Sequence, residues 1–120
     1  MLARTFCVIA VVCGLASCGW TEEYLNTASG EALPGSSEQV GVWWASSGWK
    51  IGRDCGVPQT KGEALVIRAA RSEVEAAQLV VRPQDGLKGL TVTPQALTGP
   101  AGAAIPAACV EILEVRYVHV

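Results

Sequence analysis

The stretch AARSEVEAAQLVVRP, residues 69–83, decides how this chain folds. Its first half is rich in Ala, Arg and Glu, and Ser72-Glu73-Val74-Glu75 matches the S-x-x-E capping box that opens many helices. Ala76 and Ala77 would continue such a helix well. The flanks argue otherwise. ALVI before the stretch and LVV in its second half are β-type runs, and Pro83 disfavours helical geometry at Arg82. Leu65, Ile67 and Ala69 share one face of an extended chain, as do Leu79 and Val81, so period two holds on both sides of the polar RSEVE. The expected reading is strand, corner, strand, with at most one helical turn at the corner.

Working outward, the same grammar repeats. Short apolar runs (VGVWWA, ALVIRAA, AAQLVVR, LTVTP, VEILEVRYVHV) alternate with breaks rich in Gly and Pro (SSG, GRDCGVPQTKG, QDGLKG, TGPAGAAIPA). Such spacing predicts an all-β chain, an antiparallel β-sandwich over residues 40–120. The 81 residues of that span fall below the roughly 100 of a typical sandwich, and the last run stops at Val120 without a turn, so the sandwich is expected to be incomplete and the natural product to continue. The last run also carries a phase problem. Val110 and Ile112 point one way, Leu113, Val115 and Tyr117 the other, and Val118 and Val120 need a further shift, which calls for a bulge or bend unless both faces are covered.

The chain opens MLARTFCVIAVVCGLASCGW: one cation, Arg4, then an uncharged apolar run from Phe6 to Ala16. A bilayer span needs about 20 residues, so this run fits the core of a signal peptide, residues 1–17, better than a membrane helix. It ends in Leu15-Ala16-Ser17-Cys18, similar to the lipobox of bacterial lipoproteins, with two small residues before the cysteine that takes the lipid. The expectation is an exported cell-envelope protein, periplasmic or on the outer surface, held to a lipid membrane through acylated Cys18. Acyl chains contribute about 0.8 kcal/mol per buried methylene, enough to tether without spanning. Residues 18–39, polar and rich in Ser, Gly and Glu, read as a flexible tether.

Losing Arg4 from the 9 Lys+Arg leaves 8 against 11 Asp+Glu, a formal charge of −3. No basic patch exists to hold a phosphate backbone, which argues against a nucleic-acid partner. Cys7 and Cys13 leave with the leader, and only Cys55 and Cys109 remain: in an oxidising compartment they form either a disulfide, worth about 4 kcal/mol in the chain-entropy model, or two buried thiols. Two cysteines and the single His119 are too few for a usual zinc site, and no cofactor-binding motif is present.

No catalytic set is legible. Glu73 and Glu75 share a face of an extended segment, but nothing beside them activates water or stabilises an oxyanion, so Arg71, Glu73, Glu75 and Gln78 read as a structural polar corner, with Arg68 and Arg71 available to pair the carboxylates and Gln78 bonding the corner. Trp43 and Trp44 are adjacent on a strand and face opposite sides, so one of them lies on the outer face. With Trp49, Lys50, Arg53 and Asp54 near, the outer indoles are candidates to stack on a glycan or to pack against a following domain.

Three blocks together resemble one family: VWWASSGWKIGRD, ALVIRAARSEVEAAQLVVRP and LTVTPQALTGPAGAAIPAACVEILEVRYVHV look like the N-terminal β-sandwich of glycoside hydrolase family 123 and its bacterial relatives. Ala70, Arg71, Glu73, Glu75, Gln78 and the pair Tyr117-Val118 stand at the matching places, while Ser72 replaces an asparagine. The resemblance implies a larger enzyme in which a (β/α) barrel follows this domain, carries an Asp-Glu pair and releases an N-acetylhexosamine with help from the substrate's own acetamido group. None of those barrel residues lies in these 120 positions, so the chain itself is expected to be a non-catalytic accessory portion. The alternatives are a free-standing carbohydrate-binding lipoprotein and a structural envelope lipoprotein.

Overall fold

The structure, a computed structural model, describes residues 7–13 and 29–118. Cys18 and His119 lie outside the described residues, as do residues 1–6 and 14–17 of the expected leader. Seven strands follow in chain order: β1 (Cys7–Cys13), β2 (Glu31–Ala32), β3 (Val40–Ser46), β4 (Glu75–Pro83), β5 (Leu97–Thr98), β6 (Ala104–Ile105) and β7 (Val110–Glu114). Single 3-10 turns at Pro100–Gly102 and Ala107–Cys109 are the only helical segments among the described residues. The chain is all-β, as its alternating runs predict.

Strands β2, β3, β4, β1 and β7 form one five-stranded sheet in that order, and β5 and β6 a separate two-stranded ribbon. The β2–β3, β3–β4 and β5–β6 ladders are antiparallel. The β1 ladders with β4 and β7 are both parallel. The stretch that opened the question resolves as corner then strand. Glu73 N–H donates to the Ala70 carbonyl at 3.2 Å, the Glu73 carboxylate accepts the Ala70 N–H at 2.6 Å, and Ser72 takes a positive φ of 66°. A carboxylate thus reaches back three residues as in a capping box, but from Glu73 rather than Glu75, and no helix follows because β4 begins at Glu75.

The alternation of β3 and β4 builds the core. Trp43 pairs with Val80 and Ala45 with Gln78, and these point to one face; Trp44 pairs with Leu79 and Val42 with Val81, and these point to the other. Trp43, Ala45 and Val80 join Ile51 and Cys55 in a buried cluster, with Val57, Val115 and Tyr117 packed against it. The loop after β3 is held over this inner face by side chains of β4. Gln78 Nε2 donates to the Ser46 and Trp49 carbonyls at 3.0 and 2.6 Å, Arg82 donates to the Cys55 carbonyl, and the Tyr117 hydroxyl donates to the Ile51 carbonyl at 2.7 Å. The loop thus gains backbone partners without a ladder of its own.

Two expectations need correction. Residues 31–39 are not tether: β2 pairs with β3, Leu33 N–H donates to Val42, and the Ser36 and Ser37 hydroxyls accept the Val42 and Val40 N–H groups. Polar serines read as linker here serve as turn caps, so the folded unit begins ahead of Val40. Residues 65–70 and 90–94 are extended but join no ladder, because no strand runs beside them; Leu65 and Ile67 are half-buried while Val66 and Arg68 are exposed, so period two survives without pairing. In the final run β7 stays in register from Val110 to Glu114, with Val110 and Ile112 half-buried on the outer side and Val115 and Tyr117 packed on the core side, while Leu113 stays 46% exposed. The segment Cys7–Cys13 lies here as β1.

Two local conformations generate predictions. Gly30 has φ 106°, and a Cβ there would sit 2.0 Å from the Trp44 carbonyl oxygen. Gly30→Ala is expected to lose about 3 kcal/mol or more in a urea titration followed by tryptophan fluorescence, whereas Gly35→Ala, with nothing within 4 Å of the added carbon, stays near wild type. At the corner, Ser72→Asn is expected to gain roughly 0.5–1 kcal/mol in the same titration, because asparagine tolerates the left-handed conformation better than serine.

Candidate interaction surface

The tryptophans separate cleanly. Trp43 is 1% exposed inside the core and cannot contact a glycan or another domain. Its indole Nε1 has no acceptor among the described residues, a cost of about 1–3 kcal/mol offset by the large apolar area the ring buries. Trp44 is half-buried on the outer face, its Nε1 donating to Glu31 Oε2 at 3.2 Å. That carboxylate is fixed by β2 and crowded by Gly62, where an added Cβ would lie 2.4 Å from it. Trp49 is 55% exposed in the loop that Gln78 holds from the inner face. Trp44 and Trp49 therefore do not form a shared platform.

The polar corner is only partly as expected. Glu73 closes the turn, and Arg71 is exposed. Neither Arg68 nor Arg71 forms an ion pair with Glu73 or Glu75; the one ion pair among the described residues is the exposed Arg116–Glu114 contact at 3.3 Å. Gln78 does not bond the corner: it reaches the Ser46–Trp49 loop instead, because its place opposite Ala45 aims it at the inner face. Cys55 and Cys109 are not joined to each other: Cys55 is in the core cluster, and Cys109 ends the turn before β7.

Sequence reasoning missed an open apolar groove. Leu65, Ile67, Val92, Pro94 and Leu97 line an open groove of about 580 Å³ with Val110 and Ile112 of β7. Ile112 and Ala77 both register with Ile9, so they share the face that bears Trp44. The outer face thus carries the Trp44–Glu31 pair toward β2 and an apolar trough toward β7. The signal was present in the half-phase of VEILEVRYVHV and in the period two of ALVIRAA, but it reads as strand pairing rather than as the wall of a groove. The core, by contrast, holds a void of only about 10 Å³ beside Trp43, Ile51 and Cys55, at most a single water's space.

The electrostatics of the core edge are set by burial. Desolvation pushes the Cys55 thiol up, against the opposing pull of the Ser29 backbone and Arg82. Desolvation also raises the Tyr117 phenol, while Arg53, its guanidinium 4.8 Å from the ring centroid, pulls it down and Cys55 adds to the rise. No group of three or more His, Cys, Asp or Glu side chains suited to a metal occurs among the described residues. No family model, curated protein or solved structure matches the chain.

Both raised groups are acids, so the folded chain keeps protons that the unfolded chain releases. Their contribution to stability is complete below the unfolded values, about 8.5 for a thiol and about 10 for a phenol, and is lost as pH rises through the higher folded ones. Urea midpoints are expected to fall between about pH 8 and about pH 10.5, with Cys55→Ala flattening the lower part of that slope.

Proposed function

We propose that this chain is the non-catalytic β-sandwich portion of an exported, membrane-tethered, glycoside-hydrolase-like protein that acts on glycans containing N-acetylhexosamine. Its role in that protein is to seat and orient the catalytic barrel. The observation that carries this reading is the outer-face groove. Nine residues line it, seven of them apolar; Leu65, Ile67 and residues 92–95 among them lie in extended chain without a ladder, and Leu97 is 51% exposed within it. An open apolar groove of this kind is a surface that a neighbouring domain can fill. Anchoring through Cys18 belongs to the same reading, and no helix among the described residues is long and apolar enough to cross a membrane.

The test is a groove variant in two contexts. In the complete gene product, Ile67→Glu places a carboxylate against Val92, Leu97 and Ile112, and is expected to lower the melting temperature of the whole by about 4 °C or more and to reduce release of N-acetylhexosamine from a chromogenic glycoside. In the 120-residue chain the same change is expected to shift melting by less than half as much. Equal shifts in both contexts, with hydrolysis unchanged, would contradict a seating role.

A second reading is favoured by one feature, the exposed Trp49 beside exposed Lys50. An indole so placed can stack on a sugar ring while the ammonium bonds its hydroxyls. If this is the binding surface, Trp49→Ala weakens retention on immobilised N-acetylhexosamine glycans by roughly tenfold, about 1.4 kcal/mol, and Trp44→Ala does so less, its indole nitrogen being engaged by Glu31. Equal retention of wild type and Trp49→Ala would end this reading.

A further inference from the structure

The inference concerns β1 and rests on the reading of residues 1–17 as a leader. β1 is the only strand of the main sheet whose two ladders are both parallel, and it lies between β4 and β7. All seven of its residues register with β4, from Cys7 opposite Glu75 to Cys13 opposite Val81, and five register with β7. Neighbouring strands lie about 4.8 Å apart, so β4 and β7 stand roughly 9.6 Å from each other, too far to bond without something between them. The sequence that fills the slot, CVIAVVC, is uncharged and rich in β-branched residues, the composition of a strand covered on both faces.

We infer that the apolar core of the leader is a removable central strand, and that the slot between β4 and β7 is a strand-accepting site whose occupant is this chain's own Cys7–Cys13 segment. Docked there, the segment is withheld from a membrane or a translocation channel, so folding and export compete for the same seven residues. Hydrolysis of the Ser17–Cys18 amide, with water supplying hydroxyl to the Ser17 carbonyl and hydrogen to the Cys18 nitrogen, cuts the tie to the rest of the chain but leaves both ladders intact. The leader strand is then held without a covalent tie, as extended peptides are that complete an open sheet.

The experiment uses the full chain with a specific protease site placed within residues 19–28. After cutting, the leader fragment is expected to co-elute with the body on size exclusion and to exchange with a fluorescent peptide of the sequence CVIAVVC. The peptide with Glu in place of Val11 is expected to bind at least tenfold more weakly, since position 11 registers with Glu114 and the new carboxylate would stand opposite a like charge. In the uncut chain, Ala10→Pro removes a ladder donor from a central strand and is expected to lower the melting temperature as much as cutting and washing out the fragment does. Immediate separation of the fragment with an unchanged melting curve of the body, or equal binding of the Glu peptide, overturns the inference. The export reading is checked apart from this: a Cys18→Ser protein that stays fully membrane-bound in cells sinks lipid anchoring whether or not the fragment rebinds.

Discussion

The structure depends on the β3–β4 ladder and on which way its side chains alternate. With Trp43 opposite Val80, both side chains fall on the inner face, and Gln78 and Arg82 must fall on that face too. Those two polar residues are two and two positions from Val80, and they hold the carbonyls of Ser46, Trp49 and Cys55, so the loop after β3 closes over the tryptophan. A register slip of one residue would expose Trp43, bury Trp44 away from Glu31 and turn both loop anchors to the wrong side. The inner core, its cover and the exposure of the outer face are consequences of a single register.

The two faces are accordingly unequal. The inner one is finished by a loop, by Tyr117 and by Val57, and it buries its apolar groups. The outer one has Ala77 and Val81 buried but leaves Trp44 and Leu79 half-covered, and toward β7 it opens into a trough whose walls are extended chain without ladder partners. Backbone that is extended yet unpaired finds its hydrogen bonds in water, which suits a surface awaiting another layer better than a closed sandwich. In the accessory role proposed above, a neighbouring domain would sit on this outer face.

Much of the fold was legible because period two is a strong signal where strands are long. AAQLVVR and VGVWWA each have a strand at the expected place with the expected two faces. What was not legible depended on partners distant in sequence. ALVIRAA and LTVTP have the composition of strands, but pairing requires a neighbour, and composition does not supply one. GEALPGSSEQ looked like linker because its serines are polar, yet their hydroxyls cap turns that only the position of β3 makes possible. Gln78 was correctly singled out as a hydrogen-bonding residue and assigned to the wrong loop, since the corner is adjacent in sequence while Ser46 and Trp49 are adjacent only in space. The tryptophan pair shows both sides of this: alternation requires one indole to face out, but only the pairing with Val80 decides that it is Trp44.

The claim that one face is closed by a ladder and the other is left open is tested most directly by residue-resolved native-state hydrogen exchange. The account predicts that the ladder amides of Val42–Ala45 and Leu79–Arg82 are the slowest in the chain, opening only with global unfolding, while amides of residues 65–69 and 91–94 exchange within about tenfold of free peptide rates. Protection of residues 65–69 equal to that of β4 would mean that the outer face is closed by a strand pairing absent from this structure, and would contradict the account.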